Sequence, residues 1–321
     1  HLREQEYLVD AVGDAVNIPQ SEINALHDIY VSLHGEAWAW VNISYVGVPW
    51  DFSGNPNPCL QRWQGITCTT AANNRTLFVN VEGLKLSEMN LRGTIPSSIS
   101  NLTQIKAINL PTNQISSTIP ASIYTLSQLA FLDLAYNKMN GTISESIANF
   151  KPITVIDLNN NNFTGPMPER ISELSELKQL SLNNNQLYGT IPNSYGKLTK
   201  LTAINIGTND IVGTLPASLG LLNKLTLFAV NENYLDGTLP STFSNLTLLQ
   251  YFYLDFNGFY GEIPAYLGSF SSLQYLIMDE NYFSGTIPAS IAAIPGLTNL
   301  YMHTNRLTGT IPPELGNMQS L

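Results

Sequence analysis

Leucine, isoleucine and asparagine recur at fixed intervals along most of this chain. From Ile105 onward the sequence repeats a 24-residue pattern that reads L-x-x-L-x-L-x-x-N-x-L-x-G-x-I-P-x-x-I/L-x-x-L. The same place in successive repeats is marked by Asn113, Asn137, Asn161, Asn185, Asn209, Asn233, Asn257, Asn281 and Asn305. A fixed period over most of a chain predicts a solenoid, in which each repeat buries its apolar face against its neighbours.

Each repeat predicts one short strand, a tight bend and a short helical turn. In the stretch Leu180-Ser181-Leu182, alternation places the leucines on one face and the variable residue on the other. We expect the asparagine to end this strand and to bond backbone groups of the adjacent turn and coil, because a buried amide is costly unless it is hydrogen-bonded. The asparagine column therefore defines the fold and carries no partner specificity.

Residues 1–76 do not show the repeat and predict a cap over the end of the array. Apolar residues at helical spacing predict a first helix between Tyr7 and Val16. A second helix is predicted from Ser21 as the N-cap to a stop at Gly35. A proline-rich loop then follows, with Trp38, Trp40 and Trp50. We expect these aromatic rings to cover the open end of the apolar core.

Charge and hydropathy limit the kinds of partner that this chain can bind. The chain has 14 basic and 24 acidic residues and a net charge of −10. It contains no cluster of lysine and arginine, which argues against nucleic acid as a partner. No apolar run reaches the roughly 18 residues that a membrane span requires. We therefore expect no membrane insertion within this chain.

Two cysteines and six glycosylation sequons point to the secretory route. A pair of free thiols in a cytosolic protein would be the alternative for Cys59 and Cys68, but a disulfide between them would stabilise an exposed solenoid end. The sequons lie at Asn42, Asn74, Asn101, Asn140, Asn162 and Asn245. Asn140 and Asn162 adjoin the predicted turn, so we expect the lowest accessibility there.

The repeat with Leu-x-Gly-x-Ile-Pro resembles the plant-type leucine-rich repeat of receptor-kinase ectodomains, receptor-like proteins and polygalacturonase-inhibiting proteins. The segment 25–30 with Gly35, and the run Cys59-x-x-x-Trp63-x-Gly65-Ile66-x-Cys68, are similar to the N-terminal cap of such proteins, most like versions from algae and other protists.

The resemblance implies an α/β repeat solenoid, a right-handed leucine-rich-repeat superhelix with a concave parallel β-sheet, 3-10 or short helical turns on the convex side and a helical N-terminal cap. The cap would occupy 1–76 and the array of about ten repeats 77–321. Secretion, glycosylation and recognition of a protein, peptide or polysaccharide are implied as well.

Three features depart from the family pattern. Ser117 replaces the glycine of its repeat and Ser144 replaces the proline, and both changes predict local loosening of the convex side. Leu321 falls inside a repeat, so we expect the chain to be part of a longer protein.

The middle position of the predicted concave strand changes along the array: Asn109, Asp133, Asp157, Ser181, Asn205, Ala229, Tyr253, Ile277 and Tyr301. Because strands lie about 4.8 Å apart, the last three residues should form a contiguous stripe. Grouped exposed aromatics favour an interface, and the alternative is a lateral ladder that stiffens the sheet. The candidate ligand-binding residues are Tyr251, Tyr253, Asp255, Phe256, Tyr275, Ile277, Asp279, Tyr301 and His303, with Asp255, Asp279, Glu280 and His303 at the rim.

Catalysis and cofactors are not expected. The four histidines, His1, His27, His34 and His303, have no serine or cysteine partner beside them. His27, His34 and Glu36 could form a minimal metal site, but an exposed helix face explains them more simply, so no metal or other cofactor is predicted.

Three functions remain open. The leading hypothesis is an extracellular or cell-surface, non-catalytic recognition module that binds a protein, peptide or glycan on the concave face of the later repeats. The alternative is a structural cell-surface or matrix glycoprotein that self-associates through its solenoid. A minor alternative is ice binding through the row Thr94, Thr118, Thr142, Thr190, Thr214, Thr238, Thr286 and Thr310.

Overall fold

The computed structural model describes residues 18–41, 46–73 and 76–321, with backbone alone in the β-hairpin segments of 70–78. The chain forms two compact units, His1–Lys138 and Met139–Leu321. The first predicted helix and the sequons at Asn42 and Asn74 lie outside the described residues.

The cap helix α1 spans Gln20–Ser32 and is capped by Pro19. The predicted N-cap at Ser21 is wrong, because the Pro19 carbonyl already accepts the Glu22 amide at 2.9 Å. Contrary to the prediction, Gly35 is also not the residue that ends the helix. His34 takes the left-handed conformation after the helix, with φ of 57°. A Cβ at Gly35 would overlap the Tyr30 ring, so the glycine is required for close packing.

The first unit contains one mixed sheet and the start of a second, parallel sheet. Strands β1 (Ile66–Asn73) and β2 (Thr76–Lys85) form an antiparallel hairpin. The same β2 pairs in parallel with β4 (Ala107–Asn109), which pairs with β6 (Phe131–Asp133). On the opposite side of each coil, β3 (Arg92–Gly93) pairs with β5 (Gln114–Ser117). The 3-10 turns are Gly35–Ala37, Ser97–Asn101 and Ala121–Thr125.

The second unit has two parallel sheets. The first consists of β8 (Val155–Asp157), β10 (Gln179–Ser181), β12 (Ala203–Asn205), β14 (Leu227–Ala229), β16 (Tyr251–Tyr253), β18 (Tyr275–Ile277) and β20 (Asn299–Tyr301). The second, which the sequence pattern did not predict, is built from strands β7 (Lys138–Thr142), β9 (Asn162–Pro166), β11 (Gln186–Gly189), β13 (Asp210–Thr214), β15 (Tyr234–Gly237), β17 (Gly258–Glu262), β19 (Tyr282–Gly285) and β21 (Arg306–Leu307).

A 3-10 turn closes each repeat of the second unit, as the Ile-Pro pair predicts. These turns are Glu145–Asn149, Glu169–Glu173, Asn193–Lys197, Ala217–Leu221, Ser241–Asn245, Ala265–Ser269, Ala289–Ala293 and Pro313–Asn317. Leu180 and Leu182 are fully buried while Ser181 between them is partly exposed, which confirms the predicted alternation.

The asparagine ladder satisfies backbone groups between coils, as expected. The Asn209 Oδ1 accepts the Leu187 amide at 3.0 Å. Its Nδ2 donates to the carbonyl oxygens of Leu182, Ile206 and Gly207, at 3.1 Å each. The expectation that the asparagine ends the concave strand is wrong. Strand β10 ends at Ser181, and Asn185 comes after a left-handed turn and directly before β11.

An aromatic cluster fills the cap of the first unit. Trp38, Trp50 and Trp63 are buried, and their ring centroids lie 5.0 Å (Trp38–Trp50) and 5.6 Å (Trp50–Trp63) apart. The loop thus covers apolar core, and Cys59 and Cys68 form the expected disulfide.

A buried carboxyl joins the cap helix to the hairpin. Glu22 accepts the Val81 amide at 2.7 Å. Burial raises the pKa of Glu22 to about 7, although the hydrogen bond from Val81 opposes that shift.

Ser117 and Ser144, which replace the glycine and the proline of their repeats, have backbone dihedral angles typical of the residues they replace. Ser117 adopts a φ of 109°, in the left-handed half of the map that glycine occupies in the other repeats. Ser144 has proline-like angles, φ −71° and ψ 144°, and its Oγ accepts the Ser146 amide at 3.1 Å.

Candidate functional site

The predicted aromatic stripe lies on three successive strands of the first sheet in the second unit. In the register of β16, β18 and β20, Tyr253 is opposite Ile277, and Ile277 is opposite Tyr301. Tyr251 is likewise opposite Tyr275. Tyr253, Ile277 and Tyr301 each sit between two core positions of the repeat, so the strand alternation turns them away from the core. The stripe is therefore contiguous, as its 24-residue spacing predicts.

The aromatic rings of three of the tyrosines lie in contact with one another. The rings of Tyr251 and Tyr275 stack, with centroids 5.2 Å apart and planes 27° apart. Tyr253 is 6.3 Å from Tyr251 and 6.5 Å from Tyr275. These contacts match the lateral ladder that was the alternative to an interface. Tyr301 and Phe256 are 49% and 51% exposed, so the stripe also offers aromatic surface to a partner.

Acidic side chains lie beside the stripe, at the end of the strands. Burial raises the pKa of Asp255 to about 6, and the nearby charges of Asp279 and Glu232 add to that effect. Burial, together with the neighbouring tyrosines and Asp255, also raises the pKa of Tyr253. Glu232 was not among the predicted site residues; it occupies the position of Phe256 and Glu280 one or two repeats earlier.

The prediction that Asp279 lies at the rim is wrong. Its side chain is short and flanked by a coil on each side, and the residue is only 6% exposed. Its Oδ2 lies 3.6 Å from the Nε2 of the exposed His303. Its Oδ1 is buried and has no hydrogen-bond partner among the described residues.

The polar residues of the earlier strands bond to their own turns. Asp157 accepts the Asn159 amide at 3.1 Å, and Asn205 accepts the Gly207 amide at 3.2 Å. The side chains of Asp157 and Asn205 thus form hydrogen bonds within their own turns. The aromatic side chains at the same position in the later repeats do not cap their turns in this way. This difference favours strands β16 to β20 as the candidate site.

The second sheet carries a further aromatic row that sequence reasoning missed. Its exposed large apolar side chains are Tyr188, Val212, Tyr234, Tyr260 and Tyr282. Tyr260 is opposite Tyr282 in the register, and the Arg306 guanidinium lies 4.5 Å from the centroid of the Tyr282 ring. The signal was present in the sequence, because Tyr188, Val212 and Tyr260 share one column of the repeat, and Tyr234 and Tyr282 share another.

Four sequons lie in the described residues, and all four asparagine side chains are exposed: Asn101, Asn140, Asn162 and Asn245. The low accessibility expected for Asn140 and Asn162 is therefore wrong. Both lie on the second sheet, where they face each other across β7 and β9. The alternation of these strands turns their side chains outward.

The exposed threonine row has a packing role. A Cβ built on Gly237 would overlap the methyl group of Thr214, and the same holds for Gly165 with Thr142. Each of these threonine methyls thus covers the glycine of the next coil. That contact accounts for the column without a ligand.

The two cap histidines are engaged separately. The His27 ring contacts the Phe52 ring edge-on at 4.9 Å, and the His34 Nδ1 lies 3.1 Å from the Arg92 carbonyl. Within residues 18–41, 46–73 and 76–321, no group of three His, Cys, Asp or Glu is placed to hold a metal ion.

Comparison with known proteins identifies the repeat. The Leucine Rich Repeat family model matches residues 152–174, 176–198, 272–294 and 296–318. The fold is a leucine-rich-repeat solenoid. No sequence among the curated proteins matches the chain.

Solved structures with this fold include plant receptors. The plant peptide hormone receptor RGFR1 in complex with RGF2 is 32% identical, with a TM-score of 0.71 over 77% of this chain and 43% of the receptor chain. The ectodomain of the Arabidopsis thaliana receptor kinase GASSHO1/SCHENGEN3, in complex with CASPARIAN STRIP INTEGRITY FACTOR 2, is 34% identical, with a TM-score of 0.71 over 73% of this chain and 28% of that one. This chain spans less than half the length of both receptor chains.

A plant ice-binding protein has the same fold at lower identity. It is 21% identical, with a TM-score of 0.73 over 92% of this chain and 89% of its own. At that identity the likeness bears on the fold alone. Across the described residues no helix is long and apolar enough to cross a membrane.

Proposed function

We propose that this chain is an extracellular recognition module, without catalytic activity, that binds a peptide segment along the first sheet of its second unit. The observation that carries the proposal is the stripe of Tyr253, Ile277 and Tyr301 on adjacent strands, in which Tyr301 is half exposed. Tyrosine is a favoured anchor at interfaces because it brings a large, rigid apolar ring and a hydroxyl to the contact.

The structure of the repeat supports a peptide as the ligand. Strands β16, β18 and β20 present a row of side chains across several repeats, which suits an extended chain more than a compact small molecule. Two receptors of the same fold were solved with RGF2 and with CASPARIAN STRIP INTEGRITY FACTOR 2 bound, and the first is a peptide hormone receptor. The disulfide in the cap and the exposed sequons support an extracellular location.

A selection from a random peptide display library tests the proposal without a known ligand. The immobilised protein should retain a small set of peptides, and the variant Tyr253→Ser/Tyr301→Ser should release them. The matched control is Tyr260→Ser, which removes an exposed tyrosine of the second sheet. Peptides retained equally by all three proteins, or no retained peptides, would overturn the proposal.

A second candidate function is self-assembly through the second sheet. The observation that favours it is the exposed row from Tyr188 to Tyr282, on a face separate from the proposed peptide site. Exposed apolar groups of this kind mark interaction surfaces. Light scattering during size-exclusion chromatography tests it. Concentration-dependent oligomers that Tyr234→Ser/Tyr260→Ser disperses would support assembly, and a monomer at all concentrations would exclude it.

A further inference from the structure

The later repeats of the second unit contain more acidic residues than lysine and arginine residues. Between Lys224 and Arg306 the sequence has no lysine or arginine, but it has six acidic residues. Three of them, Asp255, Asp279 and Glu280, lie just beyond strands of the aromatic stripe, and Glu232 lies just beyond the preceding strand β14. We call these four residues the acidic cluster. Within this stretch the histidine His303 lies beside the cluster, with its Nε2 3.6 Å from the Asp279 Oδ2.

The backbone holds the two aspartates at equivalent places in neighbouring coils. The Phe256 amide, which follows Asp255, donates to the Asp279 carbonyl at 3.1 Å. The charges of Asp279 and Glu232 both act on the Asp255 carboxyl. A carboxyl group beside other negative charges is harder to ionise unless a cation lies near it.

Asp279 supplies an independent sign that a donor is missing. A buried carboxylate oxygen without a hydrogen bond is costly, and the Asp279 Oδ1 is in that condition in the described part of the chain. The other oxygen faces His303, whose side chain is 66% exposed and can turn away without disturbing the core. A donor from a ligand would complete the hydrogen bonding of this group.

We propose that the acidic cluster holds one cationic side chain of the bound peptide, a guanidinium or an ammonium group, between Asp255 and Asp279. The inference rests on the peptide-binding function proposed above. A guanidinium has five donors in a planar fork, so one group can bond two carboxylates on adjacent coils. Tyr253, two residues before Asp255, and Phe256, directly after it, are aromatic residues whose ring faces can attract a cation held nearby.

A metal ion fits the same acids poorly. Calcium takes six to eight oxygen ligands around one point. The described residues contain no group of three acidic or other ligating side chains close enough to share a metal. A guanidinium needs only two carboxylates and tolerates their separation on neighbouring coils.

The same peptide selection, read for composition, tests this inference. Arginine and lysine should be enriched about 10-fold on the wild-type protein, as expected for charge-assisted hydrogen bonds to two carboxylates. The enrichment should vanish on Asp255→Asn/Asp279→Asn and persist on Asp236→Asn, an exposed acid of the second sheet. Thermal melts of each variant show whether it is folded, and Asp255→Asn alone, at a half-buried position, serves if the double variant does not fold.

Replacing the arginine of a selected, synthesised peptide with citrulline gives a second readout. Citrulline keeps the shape and removes the charge, so affinity should fall about 10-fold or more on the wild type and little on Asp279→Asn. Peptides that need Tyr253 and Tyr301 but show no arginine or lysine enrichment would overturn this inference and leave the proposed function standing. A selection that yields no stripe-dependent peptide would overturn both.

Discussion

Replacing Asn209 with alanine removes one rung of the asparagine ladder and tests why that ladder recurs. The wild-type side chain accepts the amide of Leu187, a fully buried residue, at 3.0 Å. It donates to the carbonyl oxygens of Leu182, Ile206 and Gly207. All three carbonyls keep a second donor in the variant: Leu182 accepts the Asn185 Nδ2 at 3.0 Å, Ile206 the Asn233 Nδ2 at 3.1 Å and Gly207 the Asn184 amide at 2.9 Å. The largest loss is therefore at the Leu187 amide.

The expected loss follows from these bonds. A buried amide left without a partner costs about 1–3 kcal/mol, and each lost donation to a carbonyl about 0.5–1.5 kcal/mol. Because the Leu187 amide loses its partner while the three carbonyls each keep another donor, we expect Asn209→Ala to lower the free energy of unfolding by about 2–4 kcal/mol. Because repeats contact only their neighbours, the loss should be concentrated in the coils around Asn209.

Urea denaturation measures the total loss, and hydrogen exchange of the 182–209 segment locates it. The matched control is Asn223→Ala, an exposed asparagine outside the ladder, which should change stability by less than about 0.5 kcal/mol. Equal stability losses in the two variants would refute the assigned role of the ladder. Unchanged exchange at the Leu187 amide would refute it as well.

Three further predictions follow from single residues. The folded pKa of Glu22, about 7, lies above its ordinary value of 4.5, so the folded state binds more protons between these values. Wild-type stability should therefore fall by about 1–3 kcal/mol from pH 5 to pH 8, measured by urea midpoints, and should fall less in Glu22→Gln, where Asp255, with a pKa of about 6, still titrates in this range. Ser117→Gly should raise stability by about 1 kcal/mol in thermal melts, because Ser117 holds a φ of 109° that favours glycine. Secretion from eukaryotic cells should add glycans at the exposed sequons, Asn101, Asn140, Asn162 and Asn245, measured by mass spectrometry of peptides before and after glycan removal.

Each of these predictions has a contradicting outcome. Equal pH profiles for the wild type and Glu22→Gln would show that the Glu22 carboxyl does not titrate as described. A gain from Ser117→Ala as large as that from Ser117→Gly would show that backbone strain is not the cause. Empty sequons at all four exposed sites after secretion would weigh against an extracellular location.

Periodicity predicted the part of the fold that depends on equal spacing. The 24-residue column of Asn209 required an amide that bonds its neighbouring coils, and the alternation at Leu180 required a strand with one buried face. Local details depended on single contacts instead. The cap helix begins after Pro19, whose carbonyl takes over the part expected of Ser21, and Gly35 is required by the Tyr30 ring. The spacing of residues along the sequence predicts neither of these contacts.

The candidate site was predicted in its aromatic residues and in Asp255, Asp279 and Glu280, but Glu232 and the burial of Asp279 were not foreseen. Tyr253, Ile277 and Tyr301 are neighbours because strand register follows the repeat. Burial of Asp279 depends on how His303 and the adjacent coils pack around a short side chain, which the sequence pattern does not encode. The second sheet went unpredicted because each of its short strands follows a left-handed turn and the ladder asparagine, a region that the sequence pattern assigned to a bend.

Isothermal titration of one selected peptide against four purified proteins tests the central claim most directly. The peptide should bind the wild type and Tyr260→Ser with equal affinity. Loss of two aromatic anchors should weaken binding to Tyr253→Ser/Tyr301→Ser by about 3 kcal/mol, roughly 100-fold, while a melt shows the variant still folded. Should the Tyr301→Ser single variant and the folded double variant bind as tightly as the wild type, the concave stripe would not be the peptide site.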